Sequence, residues 1–252
     1  MDRDEKKPLM GHLEELRKRL IACAVAVGVC FAVTYAFSEK LFTVLAHPLK
    51  EHLPEGDRLI FTNLPEMFFV YIKTALVSAL LLAAPFIFYQ VWMFVAPGLY
   101  RNEKRYVFPF VFFSTVLFVG GALFGYFIVF PFGFRFFLGF ANEYIQALPS
   151  AKQYFSLSIK LLLGFGLIFE LPVVAFCLGR MGVISAELLR KQRKYAILLL
   201  FVVSAILTPP DVITQFMMAG PLWVLFELSV IIVKVAGKKK TAPDTGEGEN
   251  SL

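Results

Sequence analysis

The chain has 252 residues, 58% of them hydrophobic and only 17% charged, against about 25% charged in a soluble domain. With a mean hydropathy of +0.69, this composition excludes an ordinary soluble globular protein. The formal charge of +6 would suggest a nucleic-acid partner in a soluble protein, but in a chain with bilayer-long apolar runs it reports which side each segment faces.

A helix that crosses a hydrocarbon core of about 30 Å needs about 20 mostly apolar residues. Residues 1–20 read as a short amphipathic helix, with Leu13, Leu16 and Leu20 on one stripe, lying along the membrane surface. Six spans are then expected, at about 20–37, 67–96, 107–132, 154–178, 195–208 and 212–233. The segment 38–66, with Pro48, Pro54 and Gly56, reads as a compact loop holding one helical turn. Span two contains Pro85 and stops at Pro97-Gly98. Span three carries Gly120, Gly121 and Gly125, a spacing that suits close helix contact in lipid. Glu170 and Pro172 interrupt the apolar run of span four.

Span five has about 14 residues, or about 21 Å of helix. Span six reads as broken by Pro221 and contains Glu227, which leaves its uninterrupted apolar part, 212–226, equally short. Short neighbours joined by Pro209-Pro210-Asp211 must thin the bilayer or be sheltered by partners. The expected architecture is an all-α integral membrane domain over 1–237 followed by a disordered polar tail, 238–252.

Lys and Arg are distributed unevenly. Segments 1–19, 97–106, 179–194 and 234–252 hold 18 of them, and the alternate connections hold 5. The positive-inside rule therefore places both termini in the cytoplasm. Counting acids as well, the inner segments net +8 and the outer ones −2. The first apolar run is too long for a cleavable signal core and reads as an anchor. Cys23 and Cys30 lie about 10.5 Å apart on one helix, beyond disulfide reach, and Cys177 is on another span.

Signatures of chemistry are missing: there is no HExxH, phosphate-binding glycine loop, CxxC or GxSxG. His12, His47 and His52 form no ligand set, so no metal, cofactor or enzymatic activity is expected. An intramembrane carboxylate costs roughly 3 kcal/mol on insertion scales. Glu170 is therefore either a snorkelling carboxyl beside Pro172 or an acidic group in a water-accessible concavity, the second being favoured. Glu15 and Glu103 are acids among basic residues, in HLEELRKRL and LYRNEKR. Their plain reading is helix-surface pairing, Glu15 with Arg19 and Glu14 with Lys18 at i,i+4. Thr208 and Gln215 could bond an intramembrane partner or face headgroups, and Lys73 and Lys160 snorkel.

At HLEELRKRL (12–20), PEMFFVYIK (65–73), YQVWMFVAPGLYRNEKR (89–105), GYFIVFP (125–131), FGLIFELPVV (165–174) and LTPPDVITQ (207–215), the chain resembles the TatC family, multispanning receptors of the twin-arginine translocase. The resemblance implies a concave, glove-like six-helix fold with N-in/C-in topology and short helices five and six. It implies export of folded proteins across the bacterial inner membrane, driven by the proton-motive force. By position, a signal-peptide-binding patch falls on Glu15 and Glu103, with Arg17, Leu20, Phe94 and Arg105 around them. Glu170 matches the family's intramembrane glutamate, and Pro48 and Asp211 match functional outer-loop positions. Thr208 and Gln215 match the polar cluster that docks the single-span subunits TatA and TatB. Twin-arginine signal peptides, membrane lipid and further copies of the chain complete the implied partners, with no nucleic acid among them. The runner-up is a proton-coupled small-molecule transporter, which Glu170 and the Pro-interrupted helices would serve.

Overall fold

A computed structural model describes residues 6–54, 57–95, 107–142, 144–208 and 212–236, with side chains from Met10 to Val235. The expected disordered tail lies outside the described residues, as does the connection 97–106. Helix α1 (Lys6–Ala36) runs unbroken for 31 residues, about 46 Å. The separate surface helix expected over 1–20 does not form. Pro8 sits in the first turn, and no later proline forces a break before α1 ends.

Helix α2 (Ser38–Lys50) has 13 residues where one turn was expected, and Pro48 lies inside it. Proline has no N–H for the carbonyl four residues back, here that of Val44. The Tyr126 hydroxyl donates to that carbonyl at 2.7 Å, and the Tyr154 hydroxyl donates to the next one, of Leu45, also at 2.7 Å. Thus α2 is a packed element, with Pro48 and Leu49 buried.

Helix α3 (Glu66–Val95) continues through Pro85 for 30 residues. Helix α4 (Val107–Phe124) passes through a π-helical stretch, Gly125–Val129, into α5 (Phe130–Leu138), so the third apolar segment extends past the expected end at 132. Helices α6 (Ala151–Phe169) and α7 (Leu171–Arg180) meet at Glu170. Pro172 enforces that break, because its ring crowds the Ile168 carbonyl and offers it no donor. Short α8 (Ala186–Lys191) is capped by Ser185, whose Oγ accepts the Leu188 N–H at 3.1 Å. Helix α9 (Arg193–Leu207) has 15 residues and α10 (Val212–Ala236) has 25.

Among the described residues, five helical segments are long and apolar enough to cross a membrane, within α1, α3, α4–α5, α6–α7 and α10. Helix α9, at about 22 Å, is not one of them. Pro221 does not break α10, so the expectation of two equally short helices holds for α9 alone. A helix in apolar surroundings tolerates proline when neighbouring groups satisfy the freed carbonyl.

The bundle packs α1 on α3, α3 on α4, α4 on α6, and α10 on α7 and α9. Its main core centres on Phe130, Phe155, Phe165 and Leu222, each at most 1% exposed. A Cβ on Gly121 would stand 2.5 Å from the Phe165 carbonyl oxygen, and one on Gly166 would stand 2.8 Å from the Phe118 ring. These glycines let α4 and α6 approach backbone to backbone. Gly120 faces open space, so the expected glycine seam is made by Gly121, Gly125 and Gly166 instead. Large apolar side chains such as Val29, Leu167, Leu198 and Val224 remain exposed around the outside, as lipid-facing surfaces require.

Candidate functional site

The N-terminal half of α1 and the C-terminal end of α3 lie side by side and bring several expected residues together. Glu15 accepts from Arg19 Nε at 3.0 Å and Nη2 at 2.5 Å, both on Oε1. Arg19 Nη1 donates across the seam to Gln90 Oε1 at 3.1 Å. One turn earlier the His12 ring stacks on Phe94, with centroids 4.2 Å apart and planes 18° off parallel. Positions 12, 15 and 19 share one face of α1 because i, i+3 and i+7 recur on a helix. Arg17 and Leu20 point away from this seam and are exposed. Lys18 pairs with Glu14 at 2.9 Å, as i,i+4 spacing predicts. Glu103 and Arg105 lie outside the described residues, in the segment that follows α3.

Nothing in the sequence marked Gln90 or His12 as members of this group. The Glu15–Arg19 spacing was visible, but nothing local marks Gln90, 71 residues away from Arg19, as its other partner. His12 read as an ordinary surface histidine, and Phe94 had no visible reason to be its neighbour.

Glu170 sits where α6 gives way to α7, and its backbone carbonyl accepts the Val173 and Val174 N–H groups that start α7. The side chain is 8% exposed. Ser114 is its hydrogen-bonding neighbour, Trp92 Nε1 donates to that serine at 3.2 Å, and Oε1 has no partner among the described residues. A carboxyl is thus walled in by α3, α4 and the α6–α7 break, with one oxygen in reserve.

Thr208 and Gln215 flank the segment 209–211, which contains Asp211 and lies outside the described residues. Thr208 Oγ1 donates to the Ser204 carbonyl at 2.8 Å. Gln215 Nε2 reaches from α10 to the Phe201 carbonyl on α9 at 3.0 Å. Thr208 and Thr214 also line an apolar cavity of about 90 Å³, walled by Phe124, Phe134, Phe137, Met217 and Pro221 among others. At the same end of the bundle, buried Glu66 accepts from the Thr62 and Asn63 N–H groups, the Ser150 hydroxyl and the Lys152 N–H, at 3.0, 3.4, 3.0 and 2.9 Å. It caps α6 from another helix. No local pattern marks the capping of α6, since Ser150 and Lys152 lie 84 and 86 residues from Glu66.

The sequence matches the family described as Sec-independent protein translocase protein (TatC) over residues 11–221. It is 52% identical over 248 residues to the Sec-independent protein translocase protein TatC of Desulforapulum autotrophicum, covering 98% of this chain and 92% of that protein. Identity to the protein of the same name from Escherichia coli strain K12 is 40% over 230 residues, 91% of this chain and 89% of that one. A solved structure titled as a twin arginine translocase receptor, TatC, superposes with a TM-score of 0.80 at 41% identity, covering 89% of this chain and 99% of the other.

Proposed function

The chain belongs to the TatC family of Sec-independent protein translocase proteins, and from that premise we propose that its α1–α3 patch receives the paired arginines of an incoming signal peptide. It is a multi-pass membrane protein and a translocase component, a receptor rather than an enzyme. In the proposed arrangement α9 is the fifth of six spans, both termini are cytoplasmic, and the patch faces the cytoplasm of a bacterial inner membrane. The uneven distribution of Lys and Arg supports this orientation. Nothing in the comparisons supports the small-molecule transporter.

The observation that carries the site reading is Glu15 itself, a carboxylate fixed at a two-helix seam and already engaged by a guanidinium. Arginine presents a planar fork that suits a carboxylate, and two arginines want two such acceptors. Glu103 is the second acceptor, and Arg17, Leu20, Phe94 and Arg105 contribute further contacts to the signal peptide. Deeper contacts follow, with Glu170 meeting the inserted signal peptide or a partner helix, and Thr208 and Gln215 docking single-span TatA and TatB. Pro48 and Asp211 serve on the outer side. The proton-motive force drives transport of the folded cargo.

Crosslinking of a twin-arginine signal peptide to Glu15→Ala, Glu103→Ala and the double variant tests the patch. Each single variant should reduce the crosslink and the double variant should abolish it; undiminished crosslinking in the double variant would refute the assignment. Glu170→Gln should keep crosslinking at the patch and lose the deep crosslinks near α7.

A further inference from the structure

The carboxylate proposed to receive a cargo arginine already holds one of its own. Arg19 uses all three guanidinium nitrogens, two on Glu15 Oε1 and the third on Gln90 Oε1. An exposed i,i+4 ion pair is a loose contact, weakened by side-chain entropy. Here the Gln90 anchor on α3 fixes it, and the Arg19 side chain is only 19% exposed, against 38% for Glu15.

An arriving cation therefore does not meet a free carboxylate. The Glu15–Arg19 pair is neutral as a unit, and a second cation at Glu15 meets the charge of Arg19 as well as that of the acid. Full engagement of Glu15 requires Arg19 to leave. When the newcomer is arginine, one fork replaces another and the hydrogen bonds nearly balance. A lysine ammonium is a strongly hydrated point charge without a fork and cannot restore what Arg19 gives up. We propose that Arg19 is an internal competitor for Glu15 and sets the preference of the site for arginine over lysine. Selectivity then comes from a cost placed on the wrong ligand, in addition to the hydrogen bonds that the right one makes. This inference rests on the reading of Glu15 as a cargo contact.

The test uses the full chain in lipid nanodiscs and two fluorescent signal peptides that differ only in carrying Arg-Arg or Lys-Lys. Arg19→Gln should tighten Lys-Lys binding by about tenfold, the scale of one charge-assisted hydrogen bond, while Arg-Arg binding holds or improves. The ratio of the two affinities narrows. Arg19→Lys, which keeps the charge without the fork, and Gln90→Leu, which removes the anchor, should narrow it in the same direction. An unchanged ratio in all three variants, each with an intact thermal midpoint, overturns the proposal. So does an equal loss for both peptides, which would make Arg19 a mere support for Glu15. Glu15→Gln separates the two readings. If it leaves Arg-Arg binding undiminished, the cargo-contact reading itself has failed; if it abolishes binding while the Arg19 variants leave the ratio unmoved, only the competitor has.

Discussion

Glu66 shows how much one side chain can organise. Its two oxygens together accept five hydrogen bonds, from the segment before α3 and from the first turn of α6. A carboxylate there also complements the positive end of the α6 dipole. Beside it, the Ile60 carbonyl accepts the Ala151 N–H at 2.8 Å and the Ile60 N–H donates to the Pro149 carbonyl at 3.1 Å. Glu66→Gln presents an amide N–H₂ to donors, so it should lower the thermal midpoint in detergent by about 5 °C; an unchanged midpoint would contradict this role. Glu170 differs, because its unpaired oxygen is a standing cost in the resting protein. Glu170→Gln should therefore leave the thermal midpoint level or raise it while it impairs deep insertion. Destabilisation without a change in crosslinks would contradict the proposed role.

At the scale of elements, the contact between α4 and α6 depends on which glycine faces which backbone. Gly121→Ala drives a methyl against the Phe165 carbonyl and Phe169 ring and should cost about 1–3 kcal/mol. Gly120→Ala meets nothing and should be neutral or gain up to about 1 kcal/mol of helix propensity. Denaturant or thermal unfolding of the two variants side by side checks the pair, and equal effects would refute the register. The π-helical stretch Gly125–Val129 turns α5 relative to α4, so that Phe130 and Phe134 enter the core. Pro48 belongs to the same logic: it frees a carbonyl on α2 that Tyr126, in that stretch, then satisfies.

For the whole molecule the question is topology, because α9 is short and its crossing is a proposal. In a background without Cys23, Cys30 and Cys177, single cysteines report sidedness through a membrane-impermeant thiol reagent. Tyr144→Cys and Asp211→Cys should be labelled in intact spheroplasts, and Ser185→Cys only after lysis. Labelling of Asp211→Cys from the cytoplasmic side alone would leave α9 outside the membrane-crossing set. A 15-residue α9 beside a 25-residue α10 makes one shallow wall in the bundle. With α9 crossing as proposed, the hydrocarbon there must thin or be replaced by protein, which supports placing the partner subunits at Thr208 and Gln215.

The sequence by itself determined where the long apolar helices lie, because length and hydropathy are local quantities and a bilayer-long run has few alternatives. It also marked the Glu170–Pro172 interruption and the Glu15–Arg19 pairing, both of which need only neighbours on one helix. Helix continuity through Pro221 was decided by the surroundings, since packing can satisfy what a local rule would break. Only the tertiary structure decided that Gln90 holds Arg19, that Glu66 caps α6, and that Gly121 rather than Gly120 faces Phe165. These contacts join segments dozens of residues apart. Their energies depend on which faces the folded helices turn to one another, a relation that no stretch of sequence contains.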